Sequence, residues 1–177
     1  MLGVRRWFGV LLALALFQGV AVSEELPALR RGVNLSHWLQ YQGRQPVVAA
    51  DLAAIRQAGF DHVRIPFDPA RLGWNPDASS GTVVSWPGLP QLDQAVDSAL
   101  AAGLEVILDF HPESVLRDRI ERDAKVNKAY IQAWRMLAAR YADRSPNRLA
   151  FEPLNEPQYY ESDGARRWKR LQTDVVS

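Results

Sequence analysis

The sequence predicts an α/β fold built on a parallel sheet. Strand-like and helix-like patterns alternate from residue 30 onward. A weak internal repeat marks two helix ends that run into β-rich segments. These are Ala58-Gly59-Phe60-Asp61-His62-Val63-Arg64-Ile65 and Ala102-Gly103-Leu104-Glu105-Val106-Ile107-Leu108-Asp109. The strand candidates are short, nearly continuous apolar runs, as in sheets covered on both faces. Repeated βα units with short αβ turns imply parallel strands joined by right-handed crossovers. A doubly wound sheet and a barrel both satisfy this pattern.

The elements follow in order. Residues 32–35 read as a short first strand. Residues 47–58 read as a helix, with Val48, Leu52 and Ile55 on one face and Gly59 as its stop. A second strand spans 60–65, ended by Pro66. Residues 68–90 are rich in Pro, Gly and Ser and read as a long loop. A second helix covers 92–102, with Leu92, Val96, Ala99 and Leu100 apolar, and Gly103 ends it. A third strand covers 104–110, and residues 112–124 read as a charged loop. Val126, Tyr130, Ala133, Trp134, Leu137 and Tyr141 form the apolar stripe of a third helix. Residues 149–154 are the fourth strand, and a fourth helix covers 165–176.

Composition narrows the class. With 177 residues, 21 basic and 20 acidic, the chain suits one folded domain. No long basic run exists, so nothing points to nucleic acid. The absence of cysteine excludes disulfides, thiol nucleophiles and thiolate metal sites. Residues 1–23 read as a signal peptide outside the fold: Arg5 and Arg6, an apolar run over 10–17, then Ala21-Val22-Ser23. Cleavage near Glu24 implies a secreted or periplasmic protein without stable membrane association. The alternative is an uncleaved anchor, although the apolar run is short for a membrane span.

Asn155-Glu156-Pro157 closes the last apolar run. It places a carboxylic acid beside a neutral amide where a strand stops. Cleavage of a glycosidic bond needs one acid to protonate the leaving oxygen and a second carboxylate facing it. A neighbouring Asn can hydrogen-bond a sugar hydroxyl without adding charge. The plainer alternative is a strand followed by a turn, with Glu156 solvated.

Four segments in order widen the picture. They are Arg31-Gly32-Val33-Asn34-Leu35-Ser36-His37-Trp38, Gly59-Phe60-Asp61-His62-Val63-Arg64-Ile65-Pro66, Gly103-Leu104-Glu105-Val106-Ile107-Leu108-Asp109-Phe110-His111, and Phe151-Glu152-Pro153-Leu154-Asn155-Glu156-Pro157. Together they resemble glycoside hydrolase family 5, the cellulase-like retaining β-glycosidases. The resemblance implies a (β/α)8 TIM barrel, of which this chain carries about the first four βα units. Eight are needed, in about 250 residues. Residues 24–177 are therefore expected to be the N-terminal part of a catalytic domain, with a β-glucan or related polysaccharide as partner and no cofactor or metal.

The resemblance also implies roles. Glu156 matches the general acid/base and Asn155 the residue that binds the hydroxyl next to the reacting carbon. Arg64 and His111 match supporting residues, and His37 and Trp38 are candidate sugar contacts after the first strand. Asn34 and Ser36 occupy the same strand end. Glu156 would need a raised pKa, from apolar walls and a nearby like charge. Arg64 would hold the partner carboxylate ionised. The family's nucleophile follows a seventh strand, so this chain alone is expected to be inactive.

Other readings stay open. Arg64 could form a structural ion pair with Asp61, Asp68 or Asp109. His111 could be a strand-end histidine and Asn155 a turn residue. Glu152 reads as a buried, paired acid, and Trp134 as core. Trp74 and Trp86 could stack on sugars or simply pack their loop. His37, His111, Asp109 and Glu156 could instead bind a metal, without any recognised ligand spacing. A non-catalytic, vestigial or carbohydrate-binding protein is the remaining alternative.

Overall fold

The computed structural model describes residues 29–41, 43, 45–78, 86–144 and 147–176. The expected signal peptide lies outside the described residues. The elements are β1 (Gly32–Asn34), α1 (Ala49–Gln57), β2 (His62–Phe67), α2 (Leu89–Ala101), β3 (Glu105–Phe110), α3 (Ser114–Arg122), α4 (Ala124–Tyr141), β4 (Leu149–Glu152) and α5 (Gly164–Val176). The strands form one parallel sheet in the order β1-β2-β3-β4. That order never reverses. Right-handed crossovers then lay every helix on the same face, which removes the doubly wound alternative.

The two faces of the sheet differ sharply. Val63, Ile65 and Phe67 of β2 and Val106, Leu108 and Phe110 of β3 are fully buried under the helices. They meet Leu52 of α1, Leu92 and Val96 of α2, and Tyr130, Trp134 and Leu137 of α4. Phe110 is the hub, with the rings of Phe67, Trp74, Trp86, Tyr130 and Trp134 at centroid distances of 5.1–6.3 Å. The alternating positions carry Asn34, Arg64, Asp109 and Glu152 on the other face. The helix-facing side of the strands is apolar, whereas the inner side mixes these polar and charged groups with Pro66, Ile107 and Ala150.

The repeat seen in the sequence has a structural cause. Gly59 and Gly103 take φ values of +84° and +81° just past α1 and α2. Both end a helix in the left-handed conformation that glycine adopts without a Cβ clash. Each turn then feeds a strand directly.

Three expectations are corrected. Residues 114–122 form α3 rather than a loop. Its inward positions include Arg117 and Glu121 beside Ile120, so charge hides the helical period. Helix α2 begins at Leu89, three residues earlier than the apolar pattern implied, because Pro90 fits the first turn. Strand β2 continues through Pro66 to Phe67. Arg64 and Asp68 bond toward the β1 side, through Leu35 and Leu39. Pro66, between them, points its nitrogen at residues 36–38, where the chain has left the ladder in a turn.

Side-chain clamps fix the helices. Asp93 of α2 accepts from Arg140 and from Arg144 Nη1 at 2.9 Å, tying α2 to the end of α4. Those cations hold the Asp93 carboxyl below the usual range, the Arg140 hydrogen bond foremost. Arg148 Nη2 donates to the Leu100 and Leu104 carbonyls at 3.0 and 2.9 Å across the turn into β3.

Among the described residues β1 pairs only with β2, and β4 only with β3. Phe151 of β4 is partly exposed. Open parallel edges template pairing with other chains. Residues 24–177 expressed alone are therefore expected to self-associate or remain partly molten, as read by size exclusion with light scattering. A monodisperse monomer with a cooperative melt would contradict this.

Candidate active site

The charged inner face converges on one guanidinium. Asp109 and Glu152 are register partners on β3 and β4, so two carboxylates stand side by side. Like charges so placed repel. Arg64, on β2, answers both. Its Nε and Nη2 donate to Glu152 at 2.7 and 2.8 Å in a two-pronged contact. Nη2 also lies 2.9 Å from Asp109 Oδ2. Nη1 donates to Asn34 Oδ1 at 3.0 Å, and Nη2 to Asn155 Oδ1 at 3.0 Å. A planar five-donor fork makes this possible where a lysine could not.

Asn155 is held at every handle. Its backbone N–H donates to the Phe110 carbonyl at 3.0 Å. Two residues earlier, the Pro153 carbonyl accepts from Tyr130 Oη and Trp134 Nε1 of α4. Its Oδ1 takes the Arg64 bond, so its Nδ2 is the donor. One Nδ2 hydrogen reaches His111 Nε2, 3.3 Å away. His111 Nδ1 in turn meets Asp109 Oδ2 at 2.7 Å. A neutral imidazole protonated on Nδ1 satisfies both contacts, donating to Asp109 and accepting from Asn155. Asp109, Arg64, Asn155 and His111 thus close a ring. The second Nδ2 hydrogen of Asn155 has no hydrogen-bond partner among the described residues.

Burial sets the electrostatics. Asp109 is 0% exposed. Its carboxyl is pushed above the usual range, by burial first, against the pull of the His111 bond and Arg64. The Glu152 contact raises Arg64 further above its ordinary value.

Glu156 follows at the mouth of a cleft of about 290 Å³, lined also by Gln40, Tyr41, Asp68, His111, Glu113, Arg117 and Asn155. Its φ is +44°, a left-handed value that a non-glycine residue adopts at a cost of roughly 1–2 kcal/mol. The side chain is 75% exposed, with Arg117 at 4.0 Å. The apolar walls expected around this acid are not supplied by the described residues. Strand β4 is the edge of the sheet, so one side of Glu156 stands open.

The other expected residues divide. Arg64, His111, Asn155 and Glu156 come together. Arg64 does pair with Asp109, as the structural alternative held, and it also grips Asn155. The carboxylates it holds belong to its own sheet, not to a facing partner. Glu152 is paired as expected but only half buried. Asn34 joins the network and donates to Ser36 Oγ at 2.6 Å. His37 and Trp38 do not line the cleft. The His37 ring lies 5.0 Å from that of Tyr41 in a tilted contact, and Trp38 lines a separate depression with Arg71 and Gln91. Trp74 and Trp86 are 2% and 5% exposed and cannot stack on a ligand. Trp134 is core, as its helical stripe implied. Among the described residues no group of three His, Asp or Glu side chains could hold a metal ion. Sequence reasoning missed Arg117, Glu113 and Asp68 as cleft residues; the first two lay in the stretch read as loop.

The family model described as cellulase (glycosyl hydrolase family 5) matches residues 23–177. Endoglucanase C of Acetivibrio thermocellus is 30% identical over 162 residues, 84% of this chain and 45% of its own length. A probable glucan 1,3-beta-glucosidase A of Aspergillus terreus is 29% identical over 133 residues, 70% of this chain and 30% of its own. The chain thus spans under half the length of these curated relatives. Among solved structures, Cel5A of Thermotoga maritima in complex with cellobiose superposes with a TM-score of 0.68 at 25% identity, over 84% of this chain and 46% of that one. A tri-modular endo-beta-1,4-glucanase of Bacillus licheniformis shares the fold at TM-score 0.72 and 23% identity, over 85% and 30%.

The ring predicts its own sensitivity. Arg64→Met leaves Asp109 and Glu152 without their cation and should cost about 3 kcal/mol at neutral pH. Without Arg64, burial keeps the Asp109 carboxyl above its unfolded value. Stability is then lost as pH rises through that window, so the deficit should shrink toward acid pH. Urea unfolding of the protein with its barrel completed, at pH 7 and pH 4, reads this. A pH-independent deficit, or none, would contradict it.

Proposed function

The chain belongs to glycosyl hydrolase family 5, the cellulase family, and we propose that it forms the acid/base-bearing half of an endoglucanase-like enzyme that cleaves β-glucan with retention. The observation that carries this reading is Asn155, locked between Arg64 and His111 with one amide hydrogen free, directly before Glu156 at the mouth of the cleft. A sugar hydroxyl on Asn155 would bring the adjoining glycosidic oxygen to Glu156. The relatives named as endoglucanases support a β-glucan as the substrate class.

The chemistry runs in two steps. Glu156 gives its proton to the glycosidic oxygen as the bond to the anomeric carbon breaks. A second carboxylate bonds to that carbon. Water then attacks the same carbon, passes its proton to Glu156 and releases the second carboxylate. We assign this nucleophile to strands outside the present 177 residues, where the family motif has it. Closing the barrel would also supply the missing wall beside Glu156 and raise its proton affinity.

The 177-residue chain alone should not hydrolyse β-glucan or aryl β-glycosides. With the barrel completed, Glu156→Gln should lower kcat/KM on polysaccharide by about 10³-fold. Loss on activated aryl glycosides should be milder, because their leaving groups need little acid. Azide should rescue the second step. Equal loss on both substrates without rescue, or sugar binding with no turnover at all, would overturn the assignment.

We also propose export through residues 1–23. N-terminal sequencing of exported protein should begin near Glu24, and retention of Met1 would favour an anchor.

A further inference from the structure

Helix α3 sets two charged side chains on its inward face, one turn apart. Both reach the loop that carries Glu156. Glu121 Oε1 accepts from the Gln158 N–H at 2.6 Å, two residues past Glu156. The Glu121 carbonyl also accepts from Arg167 of α5. Arg117 is only 11% exposed. Its Nε is buried with no hydrogen-bond partner among the described residues. Its ion-pair partner there is Glu156, at 4.0 Å.

A buried guanidinium with an unsatisfied nitrogen destabilises a fold. A methionine of similar length would fill the same space without that penalty. Glu156 adds a second local cost, its left-handed φ of +44°. Two unfavourable features meeting at one carboxylate point to function rather than packing.

We propose that Arg117 is a positioning residue for Glu156. Its guanidinium holds the carboxylate at the cleft mouth, where it must accept a proton in the second step. Glu121 fixes the loop from the same helix face. This rests on Glu156 being the acid/base. The other charges near Glu156 are known. Arg64 acts in the same direction from β2. Asp68 and Glu113 act against it, and they line the same cleft with His111.

The test compares Arg117→Met and Arg117→Lys in the protein with its barrel completed. Arg117→Met should keep or raise the melting temperature. It should move the alkaline limb of kcat/KM upward by about 0.8 pH unit, the effect of one unit charge at about 4 Å in water. It should also lower the rate on polysaccharide by about ten-fold. Arg117→Lys should return the limb to its place. A folded Arg117→Met with an unmoved limb, while Glu156→Gln still disables the enzyme, overturns this inference alone. Failure of Arg117→Met to fold while Arg117→Lys folds makes the arginine structural and also overturns it. Full activity of Glu156→Gln would remove the acid/base reading and this inference together.

Discussion

Arg64 is the constraint on which the inner face of the sheet depends. Parallel register sets Asp109 beside Glu152, and Asp109 is fully buried. Without a shared cation the two carboxylates would repel, and the buried one would be driven toward its neutral form. The Arg64 fork answers both and extends to Asn34 and Asn155. One side chain therefore serves the fold and the site together. The same contacts that hold all four strands together orient the Asn155 amide directly before Glu156. A conservative exchange to lysine would keep the charge and lose the geometry.

What surrounds this ring is arranged to leave its outer end free. The aromatic hub around Phe110 is buried, and it reaches the site through Tyr130 and Trp134, which bond the Pro153 carbonyl. Three residues later the chain adopts a strained φ at Glu156 and turns its carboxylate into open solvent. Burial thus falls from the helix face through the ring to the acid. The amide is the fixed part of this arrangement, and the acid is its exposed part.

Much of the architecture was legible because its punctuation is chemical. Gly59 and Gly103 mark two αβ turns that need a positive φ, and the apolar stripe of α4 has an unmistakable helical period. The site motif was legible because Asn155 and Glu156 adjoin at a strand end. Other features were hidden for physical reasons. Pro66 reads as a strand stop, yet its missing N–H falls where the neighbouring chain has turned away. Helix α3 presents charge inward, so hydrophobic periodicity could not find it, and Arg117 and Glu113 vanished into a supposed loop. Trp74 and Trp86 sit in a loop rich in turn residues and look like exposed platforms. In three dimensions both rings pack against Phe110 and are buried. The partners of Arg64 could not be chosen from sequence, since Asp61, Asp68 and Asp109 were equivalent there. Register decided among them, leaving Asp61 with His62 and Asp68 with Arg71.

We propose that the Arg64 ring presents Asn155 so that a sugar lying on it delivers its glycosidic oxygen to Glu156. A crystal structure of the protein with a completed barrel and a bound cello-oligosaccharide measures this directly. The account predicts a sugar hydroxyl on Asn155 Nδ2 and the adjoining glycosidic oxygen within about 3 Å of a Glu156 carboxyl oxygen, with the Arg64 and His111 contacts to Asn155 intact. An oligosaccharide seated elsewhere, or one that reaches Glu156 only after Asn155 has left Arg64, would contradict it.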